Sequence, residues 1–263
     1  MKKYNFKTRK SITDKVKKYG YTPRNATESK MLNKKYADFS MEIIDNEFKA
    51  YLLGLLLSDG YVIKGYNRNK ITRNYYVGLS MADLDVIEFI SIFLDKKYNI
   101  INRGIPKKVI YRIVIHGEKF FNEVARYGVV ERKSKTLNKI ILNDNEYKYL
   151  PYIIRGIIDG DGWIREDGKE FYICSASKPF IEWLKDTLEN KLYMVDLNIN
   201  YNYNRFKYGD TVKYGDIWYL RSSFEKNINI LKTLVYDKPF GMQRKYNRLY
   251  GKSSETIMET LDN

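Results

Sequence analysis

Cysteine and histidine occur once each, as Cys174 and His116. A single thiol permits no internal disulfide and fits a reducing, intracellular compartment: the cytoplasm of a bacterium or phage-infected cell, or an organelle. The same scarcity excludes a Cys/His zinc site and a His-rich nuclease centre. A Ser-His-Asp or Cys-His enzyme would have to use His116. That residue ends a strand-like run, VIYRIVIHG, where a satisfied structural histidine is expected. No Gly-rich phosphate loop of the GxxxxGK or GxGxxG kind occurs. The longest apolar runs fall well short of the ~20 residues needed to cross a bilayer, so no membrane partner is expected. The basic N-terminus has no apolar stretch behind it, so no secretory leader is expected either.

Positive charge, by contrast, is in excess. Lys and Arg number 47 against 32 Asp and Glu, a net charge of +15 over 263 residues. Such an excess points to a polyanionic partner, nucleic acid above all. Hydrophobic residues make up 44% of the chain, enough for real cores in one or two domains. The charge is clustered: residues 1–36 are dense in Lys and Arg, opposed only by Asp14 and Glu28. This stretch reads either as an arm or accessory helix that tracks a nucleic-acid backbone or as a solvated tail.

One short pattern occurs twice, as AYLLGLLLSDGY (Ala50 to Tyr61) and YIIRGIIDGDGW (Tyr152 to Trp163). Aligning Gly54 with Gly156 brings Ser58 onto Gly160, Asp59 onto Asp161 and Gly60 onto Gly162. Read as helices, the first run places Ala50, Gly54 and Ser58 on one face at i, i+4, i+8, and Gly156 and Gly160 repeat that face in the second. Small residues at this spacing let helix backbones approach closely, a reason for Gly where it otherwise costs about 1 kcal/mol against Ala. Asp45 is the expected N-cap of the first helix, and Pro151 suits the first turn of the second. Gly60 and Gly162 suit the left-handed position that ends a helix. Asp59 and Asp161 then stand at the negative ends of two helix dipoles, and side by side if the helices pack in parallel. Two such carboxylates repel unless protonated or bridged by cations. Oxygen-only ligands favour Mg²⁺ or a similar hard ion.

At these residues the sequence resembles the LAGLIDADG homing endonucleases. LLGLLLSDG (Leu52 to Gly60) and IRGIIDGDG (Ile154 to Gly162) match the nine-residue signature, with its third-position Gly and terminal Asp-Gly in both copies. Leu57 stands where an acid is usual; Asp159 keeps it. The resemblance implies a single-chain, two-motif monomer of α+β class: two pseudo-symmetric half-domains, each a curved antiparallel sheet with helices on one face, joined by the two packed motif helices.

The order of elements supports a duplication. YVGLSMADLDVIEFISIFLDKK (Tyr76 to Lys97) is mirrored by EFYICSASKPFIEWLKDTLENK (Glu170 to Lys191), and Arg132-Lys133 by Arg244-Lys245. Asp85 with Glu88 gives a capping-box pattern before a helix over 86–94. Strands are expected at 61–65, 72–81, 99–104 and 109–116, and in the second half at 196–207 and 213–221. Helices are expected at 119–127 and 223–234. The domain expectation is a basic arm (1–45), a first half-domain (46–138), a polar connector (139–150), a second half-domain (151–251) and a tail (252–263).

The resemblance further implies that each sheet lies along half of a long double-stranded DNA target. Arg, Lys, Asn and Tyr on the strands and turns are the candidate contacts. In the first half these are Arg68, Lys70, Arg73, Asn74, Tyr76, Arg103, Lys107, Lys108 and Arg112. In the second they are Arg165, Lys169, Asn202, Asn204, Arg205, Lys207, Lys213 and Arg221. Asp59 and Asp161, with the carbonyls of Ser58 and Gly160, would hold two or three Mg²⁺, with Mn²⁺ or Ca²⁺ as substitutes in binding. Lys133 and Lys245 would steady charge on the scissile phosphates, unless they only touch the backbone; Lys135 competes for the first-half role. The implied function is site-specific, metal-dependent hydrolysis of both DNA strands at a pseudo-palindromic site. The alternatives are an RNA-binding maturase acting on intron RNA and a non-catalytic DNA-binding regulator. An intein is not expected, because no splicing segments flank the pattern.

Overall fold

The computed structural model describes residues 39–66, 73–103, 108–208 and 211–251, without the side chains at 73, 103, 108, 206–208 and 211–213. The basic segment 1–36, the tail 252–263, Arg68, Lys70 and Lys107, and the side chains of Arg73, Arg103, Lys108, Lys207 and Lys213 lie outside the described residues.

Helix α1 (Glu47–Ser58) is buried on nearly every side, from Phe48 to Leu57. Its N-cap is Asn46, one residue later than expected, whose side chain accepts from Lys49 N at 2.9 Å. Asp45 instead pairs with the Lys49 ammonium at 2.8 Å. Strands β1 (Gly60–Tyr66) and β2 (Arg73–Met81) form a hairpin, followed by α2 (Leu84–Phe93), β3 (Asn99–Arg103), β4 (Lys108–His116), α3 (Glu118–Ala125) and a short α4 (Lys133–Thr136). The first sheet is antiparallel with order β1-β2-β4-β3. Along β2, Tyr75, Val77, Leu79 and Met81 are buried and the alternate positions are not, apart from Gly78. The buried row faces α2 and α3, so the helices cover one face of the sheet.

The second half repeats the plan. Helix α6 (Leu150–Asp161) has Pro151 in its first turn. It leads into β5 (Gly162–Ile164), β6 (Phe171–Ser175), α7 (Lys178–Lys191), β7 (Asn198–Tyr208) and β8 (Thr211–Ser222). The sheet order, β5-β6-β8-β7, is the same topology. The helix expected over 223–234 is α8 (Glu225–Ile230), which widens into a π-helical turn at Leu231–Val235. The chain then runs to α9 (Gln243–Tyr250).

The capping box expected at Asp85 and Glu88 is absent. The N-cap of α2 is Asp83, and Asp85 turns one oxygen to Val86 N (2.9 Å) and the other to Gln243 N (2.8 Å). The capping box that does form lies in the connector, between Asn143 and Glu146 at α5 (Asp144–Tyr147). This connector is a docked element. Glu146 is buried and also accepts from Ile44 N (3.0 Å) and the Tyr127 hydroxyl (2.5 Å), while Ile140 and Leu142 enter the core.

The two halves form one compact unit because α1 and α6 pack backbone to backbone. A Cβ added at Gly54 would lie 2.1 Å from the Ile153 carbonyl oxygen, and one at Gly156 would lie 2.3 Å from that of Tyr51. Gly60 and Gly162 differ from expectation, since neither has a positive φ. Their need for hydrogen is steric: the strand folds back over the last helical turn, and a Cβ would meet the Leu56 oxygen at 2.4 Å or the Ile158 oxygen at 2.6 Å.

Candidate active site

Parallel packing of α1 and α6 brings both helix C-termini to one place. Asp59 is the C-cap of α1 and Asp161 is the last residue of α6. Both line one cleft of about 960 Å³, together with Ser58, Lys133, Lys135 and Cys174. The close approach extends to this end, for a Cβ at Gly160 would lie 2.0 Å from Ser58 Oγ and 3.3 Å from Asp59 Oδ2.

The electrostatics follow from this crowding. Asp161 is pushed up to about 6, first by loss of hydration and then by the Asp59 carboxylate, with Lys133 and Lys245 pulling back. Asp59 is also raised, by desolvation, although its side chain reaches solvent. The protein below the carboxylates removes part of their water and leaves the repulsion between them unrelieved. That is the donor chemistry of a hard divalent cation. Among the described residues no cluster of three or more His, Cys, Asp and Glu forms a closed cage. Magnesium needs none, because it is commonly held by one or two carboxylates with water and substrate phosphate completing the shell. The two acids fit such an ion.

The lysines are placed differently from each other. Lys245 on α9 lies beneath the end of α6, and its Nζ donates to the carbonyls of Ile158 (2.5 Å), Asp159 (2.9 Å) and Gly162 (2.6 Å). All three ammonium hydrogens are thus used on carbonyls at and just beyond the negative end of the helix. Burial pushes Lys245 down to about 8. Lys133 opens α4, lines the cleft and donates to the Ser58 carbonyl. Burial lowers its pKa, and Asp161 and Asp59 oppose that shift. The Ser58 carbonyl, expected among the metal donors, is therefore already engaged. Lys135 is exposed on the cleft wall.

Residues that the sequence reading left aside complete the surroundings. Cys174 Sγ donates to the Asp161 carbonyl at 3.2 Å, and burial pushes the thiol up to about 11, so it stays protonated. Its place was available from the repeat, which aligns it with Ser80 of β2. Asp159 is fully buried and accepts from the hydroxyls of Tyr51 (2.8 Å) and Tyr236 (2.6 Å) and from Met242 N (3.1 Å). Arg155, also buried, stacks on Phe240 and Tyr236 and donates to the Lys238 and Phe240 carbonyls. Asp159, sixth in the second motif, thus binds the loop before α9, and Leu57, sixth in the first, lacks that role.

The sheet faces away from the helices sort the candidate contacts. Pairing of Tyr76 with His116 and Ser80 with Arg112 puts Asn74, Tyr76 and Arg112 on one row. Arg112 donates to Ser80 Oγ at 3.2 Å and lies over the Tyr61 ring. His116 is exposed and meets Tyr76 edge-on, so it belongs to this face and not to a core. In the second sheet Asn202 and Asn204 share a row with Tyr219 and Arg221. Arg205 points to the opposite face, beside Tyr214, because side chains alternate along β7. Arg221 pairs with Glu170 at 2.5 Å, and Arg165 pairs with Glu170 and Asp167. Lys169, in the same turn, is exposed. An aromatic row of Trp163, Tyr172 and Tyr219 occupies the same open face. Period-two alternation was the signal that could have found it.

Residues 47–127 match the family model described as the LAGLIDADG-like domain. The first half is a LAGLIDADG-like domain. No curated protein matches the chain. Among solved structures it is similar to the homing endonuclease I-WcaI bound to its DNA recognition sequence. That match has 17% identity and a TM-score of 0.53, over 88% of this chain and 97% of the other. It is also similar to the LAGLIDADG meganuclease I-AabMI bound to uncleaved DNA, with 11% identity and a TM-score of 0.47, over 82% of this chain and 92% of the other. The first of these likenesses shows that the LAGLIDADG fold extends over both halves.

Proposed function

We propose that this LAGLIDADG-fold protein is a homing-type endonuclease that cuts both strands of double-stranded DNA at a long, pseudo-palindromic site. The observation that carries the reading is the convergence of Asp59 and Asp161 at one cleft, in a fold whose two sheets each carry an open row of polar and aromatic side chains. A scaffold that only bound nucleic acid would gain nothing from two desolvated, mutually repelling acids there. A divalent cation, magnesium by its ligand chemistry, would be held by Asp59 and Asp161. When bound it would supply Lewis-acid activation of water and phosphate.

The chain's own residues set up the rest. Asp59 and Asp161 face the scissile phosphates from the ends of α1 and α6, one for each strand. Lys133 adds positive charge at the cleft, and Lys135 is close enough on the wall to meet a phosphate. Lys245 acts from below, holding the carbonyls that flank Asp161. The rows containing Asn74, Tyr76 and Arg112, and Asn202 and Asn204, provide base-edge and backbone contacts. With two motifs in one chain the active form is a monomer.

The test is incubation of the purified protein with a randomised DNA target library in Mg²⁺ and, in parallel, in excess chelator. Enrichment of one cleaved sequence class in Mg²⁺ alone supports the reading. Tight, salt-sensitive binding without cleavage would favour an RNA-binding maturase or a regulator instead.

A further inference from the structure

Helix α9 carries Lys245, yet its N-terminus is capped from the other half. Its N-cap residue, Met242, makes no side-chain cap. The first helical N–H, on Gln243, donates to Asp85 Oδ2 at 2.8 Å. The next residue, Arg244, holds both oxygens of Asp83, with Nε to Oδ1 at 2.6 Å and Nη2 to Oδ2 at 3.3 Å. Both acids stand at the start of α2, and the second oxygen of Asp85 accepts from Val86 N there. One carboxylate therefore bridges the N-termini of two helices from different halves. Two negative charges at the positive end of α9 also suit its dipole.

What α9 holds in turn is the end of α6. Lys245 grips the carbonyls of Ile158, Asp159 and Gly162, and Arg248 donates to Ile164 O at 2.8 Å. These contacts bracket Asp161. The reverse contact is weaker: the N-cap Ser177 of α7, which the repeat aligns with Asp83, donates its hydroxyl to the Leu137 carbonyl just after α4. Each lysine-bearing segment is thus held by the opposite half, one by two carboxylates and the other by one hydroxyl.

We propose that Asp83 and Asp85 are positioning residues that act across the two halves: they fix α9 and, through Lys245, the end of α6 that presents Asp161. The role of Asp161 rests on the nuclease reading above; the mechanical linkage does not. The linkage also makes the two acids unequal, so loss of Asp85 affects one strand's cleavage before the other's.

The experiment is amide hydrogen exchange, read by mass spectrometry, on the full chain as wild type, Asp85→Ala and Asp85→Asn. Asp85→Ala is expected to speed exchange several-fold at 243–250 and at 158–164, with 55–61 and 133–137 unchanged. Asp85→Asn keeps an oxygen that can accept from Gln243 N and is expected to stay near wild type. Unchanged exchange at 158–164, or a uniform rise over the whole chain, overturns the proposal. Should Asp85→Ala fail to fold, Arg244→Ala removes the Asp83 pair from the other side and is read at the same segments. On DNA, Asp85→Ala is expected to accumulate nicked product where wild type gives linear product, and equal slowing of both strands contradicts the linkage. A wild type that never cuts removes the nuclease reading, and the exchange result alone then decides this one.

Discussion

At the scale of single residues, the acids carry a stability cost with a definite sign. The folded value of about 6 for Asp161 lies above its ordinary 3.8, so the native state holds this proton more tightly than the unfolded chain does. Its contribution is favourable at low pH and is lost as pH rises through about 6, by up to about 3 kcal/mol. Asp161→Asn removes that cost. In chelator at pH 7.5 the variant is expected to melt above wild type, and near pH 4 the two should melt together. Added Mg²⁺ should narrow the gap at pH 7.5 by stabilising wild type alone. Equal melting at both pH values would show that Asp161 is not desolvated. Lys245→Met removes three hydrogen bonds to these carbonyls and is expected to cost about 1–3 kcal/mol, a fall in melting temperature of roughly 3–10 °C. Both acids were legible in the sequence because the pattern around them is repeated. The partners of the lysines were not, because Nζ of Lys245 bonds backbone more than 80 positions away, and no local pattern encodes that.

Among the elements, the seam between α1 and α6 leaves no room for a methyl group at Gly54 or Gly156. Gly54→Ala would raise helix propensity by about 1 kcal/mol, yet overpacking against the Ile153 carbonyl costs typically 1–3 kcal/mol or more. The variant is therefore expected to be less stable in urea, and a gain in stability would mean the helices do not touch there. Small residues at i, i+4, i+8 announced this seam correctly. Caps were less legible. Asp45 and Asn46 both qualify as N-caps, and the choice fell to the residue whose oxygen reaches Lys49 N. Asp85 looked like half of a local capping box, but a long-range partner, Gln243 N, competed for it. Strand limits came within a few residues, since alternation marks the middle of a strand better than its end.

For the whole molecule, net charge of +15 and two open sheet faces suit a polyanionic partner, and on the nuclease reading the affinity for DNA is largely electrostatic. Its binding constant is expected to fall steeply, by orders of magnitude, between about 50 and 200 mM salt. A flat salt dependence would mean that the basic residues are not at the interface. The repeat gave the two-half plan at sequence level. It did not show that the halves are unequal: Asp159 has a buried partner network where Leu57 has none, and Lys245 holds three carbonyls where Lys133, also buried, holds that of Ser58 and lines the cleft. Arginine neutralisation by Glu170 was likewise hidden, because the turn that joins them is closed only by folding. The central claim is that Asp59 and Asp161 form one cation-dependent site in which each serves a strand. The most direct measurement is strand-resolved cleavage of the selected target in Mg²⁺ by wild type, Asp59→Asn and Asp161→Asn. The account predicts a double-strand break with wild type, and nicks or nothing with each variant, any nicks lying on opposite strands. Linear product from either variant at the wild-type rate would contradict it.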